Sequence, residues 1–483
     1  MFIILLSLFS GVRCAIFYPF IDKSEEDKKD ILLRNSILFY IFFVDKESPV
    51  PGNGGLLSKL NPGNGCFTLS WTKATDDKTE TSALSYRVYS SKENNLNSVD
   101  EIEKNGEALN NFTTNISSFE ISSKRFRTTT MYFNVIVKDN LDKKSNYSSI
   151  SATIIPMYLY VLNQTANTIG IYTINSDVGT LTLSNTITAG NSASSLYIPP
   201  KGNYLFMASA SENLLRVYSV TTTNGSLALV QSYTINGTTS LLASQEGNYF
   251  YSADSTSNTI SLFNLDSGSG SLTSNTPTTI SITNPVHLSI DVTGSYLYAL
   301  NYSSDTVSQY VINNTTGGLT SLVNPTQNTG GKPLQTAIDP KGSFAFVINN
   351  SGNSLSNYNI DQVRGEWKRY SPLFTTVGQG PTSIDFHPSG NFVTIAESTD
   401  NQLRSLSLNR TDGTLTTIGS ATSQAGTPSW VIFDFGGKFL YSLSKTSNTI
   451  YFYNVTDSGT ITLNTTYTTE ASPINSVIFH SVK

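Results

Sequence analysis

The sequence predicts an all-β fold: a seven-bladed β-propeller with C-terminal strand closure, plus an N-terminal β-sandwich. Three observations carry this. Asn167, Asn213, Asn258, Asp305, Asn353, Asn401 and Asn448 recur at steps of 45 to 48 residues, each followed two positions later by Ile, Leu or Val. A β-rich repeat of that length cannot bury its own apolar faces and must stack on copies of itself. Each repeat also divides into four strand-like phrases, the content of a propeller blade. The array opens at Met157 on a second-strand phrase and ends on an orphan first-strand phrase, Pro473 to Phe479. The last residues are therefore expected to complete the blade that contains Tyr158.

The four phrases have distinct chemistry. The first ends in a tight turn, as in Asp291-Val-Thr-Gly294, Asp339-Pro-Lys-Gly342 and His387-Pro-Ser-Gly390, where Gly supplies the positive φ of a hairpin. The second is aromatic and apolar on both sides, as in Tyr296-Leu-Tyr-Ala-Leu300, which suits a strand covered on both faces. The third carries the recurrent Asn and an alternating continuation. The fourth follows a Gly-x-Leu signal, as at Gly179/Leu181 and Gly317/Leu319. The recurrent Asn are expected to form turns whose side chains bond the local backbone.

Residues 1–14 form a signal or anchor segment: an apolar run from Met1 ending at Gly11-Val-Arg-Cys14, where Cys14 stands as a candidate lipidation site. Residues 15–47 are a spacer. Residues 48–155 alternate as sandwich strands, with Phe67 to Trp71, Leu84 to Tyr89, Met131 to Val137 and Tyr147 to Ile154 separated by turn residues. Residues 157–483 are the propeller.

Charge and cysteine use exclude several functions. The formal net charge is −5, and residues 157–483 carry 12 Lys and Arg against 17 Asp and Glu, so no basic stripe offers itself to nucleic acid. Cys14 and Cys66 are the only cysteines, too few for a disulfide framework and without metal-ligand spacing. No zinc-protease, nucleophile-elbow, P-loop or EF-hand motif occurs. Neither metal nor cofactor is expected, and membrane contact only through the N-terminal anchor.

The phrases Tyr298-Ala-Leu-Asn301 and Tyr160-Val-Leu-Asn163, with Pro333 and the Asp339-Pro-Lys-Gly342 turn, resemble the Tyr-Val-Thr-Asn repeats of seven-bladed lactonase-like propellers, a superfamily that includes 6-phosphogluconolactonases and muconate-lactonising enzymes. Leu69-Ser-Trp71, Tyr86-Arg-Val-Tyr89 and Tyr132-Phe-Asn-Val135 resemble strands of a fibronectin type III domain. The first resemblance implies chemistry in a cavity near the propeller axis, where a base activates water and a cation or donor meets the carbonyl oxygen.

Two sets of positions should face that cavity. Opening the innermost strands stand Ser195, Ser240, His287, Gln335, Ser383, Trp430 and Asn475; ending the second strands stand Asn163, Ser209, Asp254, Asn301, Asn349, Glu397 and Ser444. His287, Glu397 and Asp254 are the candidate acid/base residues, Arg216 and Arg404 the candidate anion partners, and Trp430 and Gln335 further ligand contacts. The N-terminal segment gives the expectation of an exported, monomeric protein of the bacterial cell envelope, with a lipid anchor at Cys14 and a plain signal peptide as the alternatives, and most of both rings is small and neutral. Its propeller would be a binding scaffold for a protein or carbohydrate ligand. The alternative is a lactone hydrolase.

Overall fold

The computed structural model describes residues 47–63, 66–122, 130–153 and 157–480. The signal segment, nearly all of the spacer and Cys14 lie outside them. Among the described residues there are nine separate antiparallel sheets, seven of them built from the repeats. Six of those seven have four strands and the sixth in chain order has five, because its outer strand is broken into Leu415–Thr417 and Thr422–Ser423. Blade 1 holds Met157–Asn163, Thr168–Ile174, Leu181–Thr188 and Pro473–Phe479; blades 2 to 7 follow in order from Ala193 to Thr468.

The expected closure is corrected by this topology. No sheet is closed. Pro473–Phe479 is the free edge of an open sheet, hydrogen-bonded to Met157–Asn163 on one side, and no ladder leads from it into another sheet. The physical reason is that closing a sheet takes a continuous, staggered ladder of tilted strands, whereas these short ladders each stop after four or five strands and meet by their faces. The architecture is all-β and propeller-like, with two exceptions to strand in the N-terminal region: a 3-10 turn at Gly52–Gly55 and the helix Val99–Asn105, N-capped by Ser98.

Between blades, the repeat's own residues make the joint. The aromatic that opens a second strand lies on the Gly of the next blade: Tyr158 on Gly225, Tyr204 on Gly270, Tyr249 on Gly317, Tyr296 on Gly365, Phe344 on Gly413, Phe392 on Gly459 and Phe439 on Gly179. A Cβ on any of these glycines would sit within 2.9 Å of the ring, and each has φ between 69° and 85°. Two residues further on, tyrosine hydroxyls donate to the same turns: Tyr160 to Gly225 O (2.8 Å), Tyr251 to Gly317 O (2.8 Å), Tyr298 to Gly365 O (2.8 Å) and Tyr441 to Gly179 O (2.7 Å). The Gly-x-Leu signal and the aromatic strand are thus two halves of one contact.

All seven recurrent Asn or Asp residues adopt φ between 46° and 58°. Asn and Asp tolerate this left-handed region better than other side-chain-bearing residues. In six of the seven, all but Asn401, the side-chain oxygen accepts an N–H of the loop that enters the next inner strand rather than bonding the local backbone as expected, as in Ser192 N–H to Asn167 (2.8 Å), Asn284 N–H to Asn258 (2.7 Å) and Ser472 N–H to Asn448 (2.9 Å). They hold the loops at one end of the central channel, where the inner strands begin.

Upstream of the blades, the sheet of Leu57–Gly63, Cys66–Trp71 and Ser118–Ser122 shares one core with the sheet of Ser85–Ser91 and Thr130–Lys138. Trp71 is buried there between Tyr86 and Tyr147, ring centroids 5.8 and 6.3 Å away. Tyr147 lies outside any strand, its hydroxyl donating to Thr72 O at 2.6 Å.

Candidate functional site in the central channel

The inner strands Ala193–Tyr197, Thr238–Ala243, Pro285–Ile290, Pro333–Ile338, Pro381–Phe386, Pro428–Phe433 and Pro473–Phe479 pack beside one another around the axis. The ring of residues near their starts mostly braces the neighbouring blade. The Leu288 N–H donates to Ser240 Oγ (3.0 Å), Ile384 N–H to Gln335 Oε1 (2.9 Å), Val431 N–H to Ser383 Oγ (3.2 Å) and Leu196 N–H to Asn475 Oδ1 (3.2 Å). Gln335 is therefore a brace between blades 5 and 6.

His287 departs from this pattern. It is half-buried on the inner strand of blade 4, paired with Leu300 across the ladder, and its buried Nδ1 has no hydrogen-bond partner. Desolvation by its surroundings pushes its pKa down to about 4, so the imidazole is neutral near pH 7. Trp430 Nε1 is likewise unpartnered, while its ring packs on the apolar cluster shared by blades 7 and 1.

The two candidate acids are used differently. Buried Glu397 accepts Arg404 Nε (2.6 Å) and Gly378 N–H (2.7 Å) on Oε1, and Gln402 Nε2 (2.6 Å) and an Arg404 terminal nitrogen (3.2 Å) on Oε2. Buried Asp254 caps its own turn, accepting Thr256 and Ser257 N–H at 2.8 Å each. Arg216 donates to Ala189 O (2.7 Å) and pairs with Glu212 (2.9 Å).

In blades 4, 5 and 6 the residue ending the second strand bonds the residue three after the recurrent Asn or Asp, and in blades 5 and 6 it also accepts a loop N–H, from Gly330 (2.9 Å) and Gly378 (2.7 Å). Asn301 with Ser308 and Asn349 with Ser356 form the first bond with neutral groups, at 2.8 and 2.9 Å; Glu397 with Arg404 forms it with charges. The structure thus brings Glu397 to Arg404, but neither to His287, which sits two blades away. The other histidines are also packed: His387 bonds Ser389 Oγ (2.7 Å) and Gly437 O (2.8 Å), and His480 stacks on Phe435 at 4.0 Å.

Sequence reasoning missed a third set, the residues immediately after the second strands, which form the channel rim. Gln164 Nε2 reaches Ala193 O (3.4 Å) and Asn350 Nδ2 reaches Pro381 O (3.0 Å), each where the next inner strand opens. Tyr302 holds this position in blade 4, under the Lys332 ammonium, which lies 4.8 Å from its ring centroid. The available signal was positional: Tyr302 follows ring residue Asn301, and Lys332 precedes Pro333. At the opposite end of the channel a cavity of about 300 Å³ is walled by Tyr197, Phe386, Ile432, Phe433, Phe435 and Ile478, with Asp385 and Asp434 among its lining. No cluster of metal-ligating side chains occurs among the described residues.

The family profile described as lactonase, seven-bladed β-propeller, matches residues 108–242, 233–333 and 325–433, together two thirds of the chain. The chain belongs to this family. The lactonase match begins ahead of the blades, within the two-sheet N-terminal region, and stops at the end of blade 7's inner strand. No curated protein matches the chain. Among solved structures, a candidate 6-phosphogluconolactonase from Bacteroides fragilis is 17% identical with a TM-score of 0.59, covering 67% of this chain and 98% of that one. The periplasmic gluconolactonase PpgL of Pseudomonas aeruginosa is 16% identical with a TM-score of 0.59, covering 67% and 99%. A protein from Lactobacillus plantarum is 15% identical, again at 0.59, covering 67% and 99%. These likenesses share the lactonase fold.

Proposed function

We propose that the protein is a lactone hydrolase whose reaction takes place in the central channel at His287. The observation that carries this reading is the release of His287 from the bracing role of its ring neighbours, with a buried imidazole nitrogen left unpaired. Family membership supports it. A neutral imidazole can accept a proton from water as the water oxygen attacks the lactone carbonyl; the ring C–O bond then breaks and the alkoxide takes a proton, leaving a hydroxy acid. With a pKa of about 4 the base is weak but stays unprotonated through the neutral range.

The test is lactone hydrolysis by the full chain, with His287→Ala and His287→Gln. Turnover that both variants reduce by about a hundredfold or more, with an acid limb of kcat/KM near pH 4, is expected. Equal turnover in the variants would remove His287 from the reaction. A second reading, a binding scaffold without turnover, is favoured by the engagement of Glu397, Arg404, Arg216 and Asp254 as internal struts. It predicts ligand binding with no hydrolysis by wild type.

The reading includes an exported, cell-envelope location, supported by the apolar start of the sequence and by the periplasmic description of the Pseudomonas relative. Palmitate labelling with Cys14→Ser tests the anchor. It also treats the two-sheet N-terminal region, with Trp71 in its core, as a fibronectin type III-like spacer.

A further inference from the structure

We infer that the cavity at the end of the channel away from the recurrent-Asn loops is a second binding site, one that takes a small organic ammonium ion with an apolar body. His287 is not among its lining residues, and its occupancy does not depend on the hydrolase reading. On each inner strand the residue two places beyond the ring residue points to the same face. Across the seven blades Asp385 is the only charged residue at this position, the others being Tyr, Leu, Ser, Ala, Ile and Val. Four of these residues, Tyr197, Asp385, Ile432 and Val477, line one cavity of about 300 Å³, where the inner strands of blades 6, 7, 1 and 2 run side by side. Pockets for small ligands span roughly 300–1,000 Å³, so a compact molecule fits.

The walls are set before any ligand arrives. Tyr197, Asp385, Ile432 and Val477 are half-buried, as is Phe435 beside them, so each still has accessible surface. The Tyr197 hydroxyl accepts the Ala243 N–H (3.0 Å), and its ring meets Phe250 edge-on with centroids 6.2 Å apart. Phe435 stacks on His480 at 4.0 Å. Asp385 Oδ2 accepts the Phe433 N–H from blade 7 at 2.8 Å, which fixes the carboxylate in the lining. Groups already held in place lose little freedom on binding, which lowers its cost.

The chemistry of the walls selects the ligand. Aromatic faces such as those of Tyr197 and Phe435 attract cations, and a carboxylate does so more strongly. Ile432 and Val477 favour hydrocarbon. An anion would meet carboxylates, and no Lys or Arg stands among the described lining residues to receive it. A divalent metal of the calcium type needs six or more oxygen ligands, which this lining does not supply. Asp434, the other acid in the lining, is buried and committed to its own turn, accepting the Gly436 N–H (2.9 Å) and the Phe439 N–H (2.7 Å). A single positive charge against Asp385, with a hydrocarbon body on the aromatic and aliphatic walls, matches every surface of the cavity.

The experiment is calorimetric titration of the full chain at neutral pH with phenethylammonium, the neutral phenethyl alcohol and the anionic phenylpropionate. Wild type is compared with Asp385→Asn, which keeps an acceptor for the Phe433 N–H, and with Ile432→Trp, which fills the cavity. The expected result is that wild type binds the ammonium about tenfold or more tighter than the alcohol and does not bind the carboxylate. Asp385→Asn should weaken the ammonium by about tenfold or more and leave the alcohol unchanged. Ile432→Trp should abolish binding of both, with a thermal transition showing that the variant is folded. If Ile432→Trp does not fold, Phe435→Leu takes its place and should weaken the ammonium more than the alcohol, because it removes a ring face and keeps an apolar wall. No binding of phenethylammonium to wild type, equal affinity for the three probes, or an unchanged affinity in Asp385→Asn overturns the site. Binding that persists in folded Ile432→Trp, or an equal loss for both probes in Phe435→Leu, overturns it as well.

Discussion

Replacing Gly365 by Ala tests the joint between blades. Gly365 has φ 69°, and a Cβ there would stand 2.2 Å from both Cγ and Cδ1 of Tyr296 in the preceding blade. Two costs add. Holding Ala in the left-handed region costs about 1 kcal/mol. Moving the Tyr296 ring, whose hydroxyl donates to Val363 O at 2.6 Å, costs about 1–3 kcal/mol as an overpacked contact. The expected loss is about 2–4 kcal/mol. Gly419 supplies the control, because it has φ 60° and no atom within 4 Å of its would-be Cβ. Gly419→Ala should therefore cost only the backbone component, about 1 kcal/mol. Urea and thermal midpoints of both variants, measured on the full chain against wild type, give the comparison. If Gly365→Ala is no more destabilising than Gly419→Ala, the aromatic-on-glycine contact is not what joins the blades, and the account of the repeat fails.

Glu397→Gln should lower stability by about 2–4 kcal/mol, since it leaves Arg404 beside a neutral group in a buried node, while changing kcat little; a large kcat loss at unchanged stability would return Glu397 to the reaction. Tyr441→Phe should cost about 1 kcal/mol through the lost bond from blade 7 to Gly179 O in blade 1, read as a shift of the urea midpoint. His287 gives a pH signature. Its folded pKa is depressed from 6.5 to about 4, so between those values the unfolded chain binds a proton that the native state does not, and stability falls as pH drops through that window. Wild type should lose up to roughly 2 kcal/mol more than His287→Gln between pH 7 and pH 4.5, an amount reduced by partial solvation of the ring; identical losses would contradict the depressed pKa.

How far the site was legible follows from what repeats. The inner-strand ring was found by alignment within the chain, and His287 stood out there as the one imidazole. Its release from bracing was not visible, because Ser240, Gln335 and Asn475 differ from His287 only in whether they meet the next blade's N–H. Glu397 and Asp254 looked like acids facing a cavity. Their oxygens are taken by groups two to nineteen residues away on the same blade, a matter of loop length that composition does not record. Lys332 escaped notice because it belongs to a loop that differs between repeats.

The sequence by itself determined the repeat length, the four strands of each unit, the turn glycines and the turn-forming role of the recurrent Asn, because each depends on backbone conformation within a few residues. It also expected the orphan strand to complete the blade of Tyr158; the structure supplied the register, Tyr158 to Phe479, and left that sheet open. Only the tertiary structure decided that the sheets remain open, that aromatic and glycine phrases from neighbouring blades are one contact, and which polar groups in the channel are spent. Those outcomes depend on faces and loops brought together from positions 43 to 279 residues apart, where hydrogen-bond partners are settled by ångström-scale separations rather than by residue type.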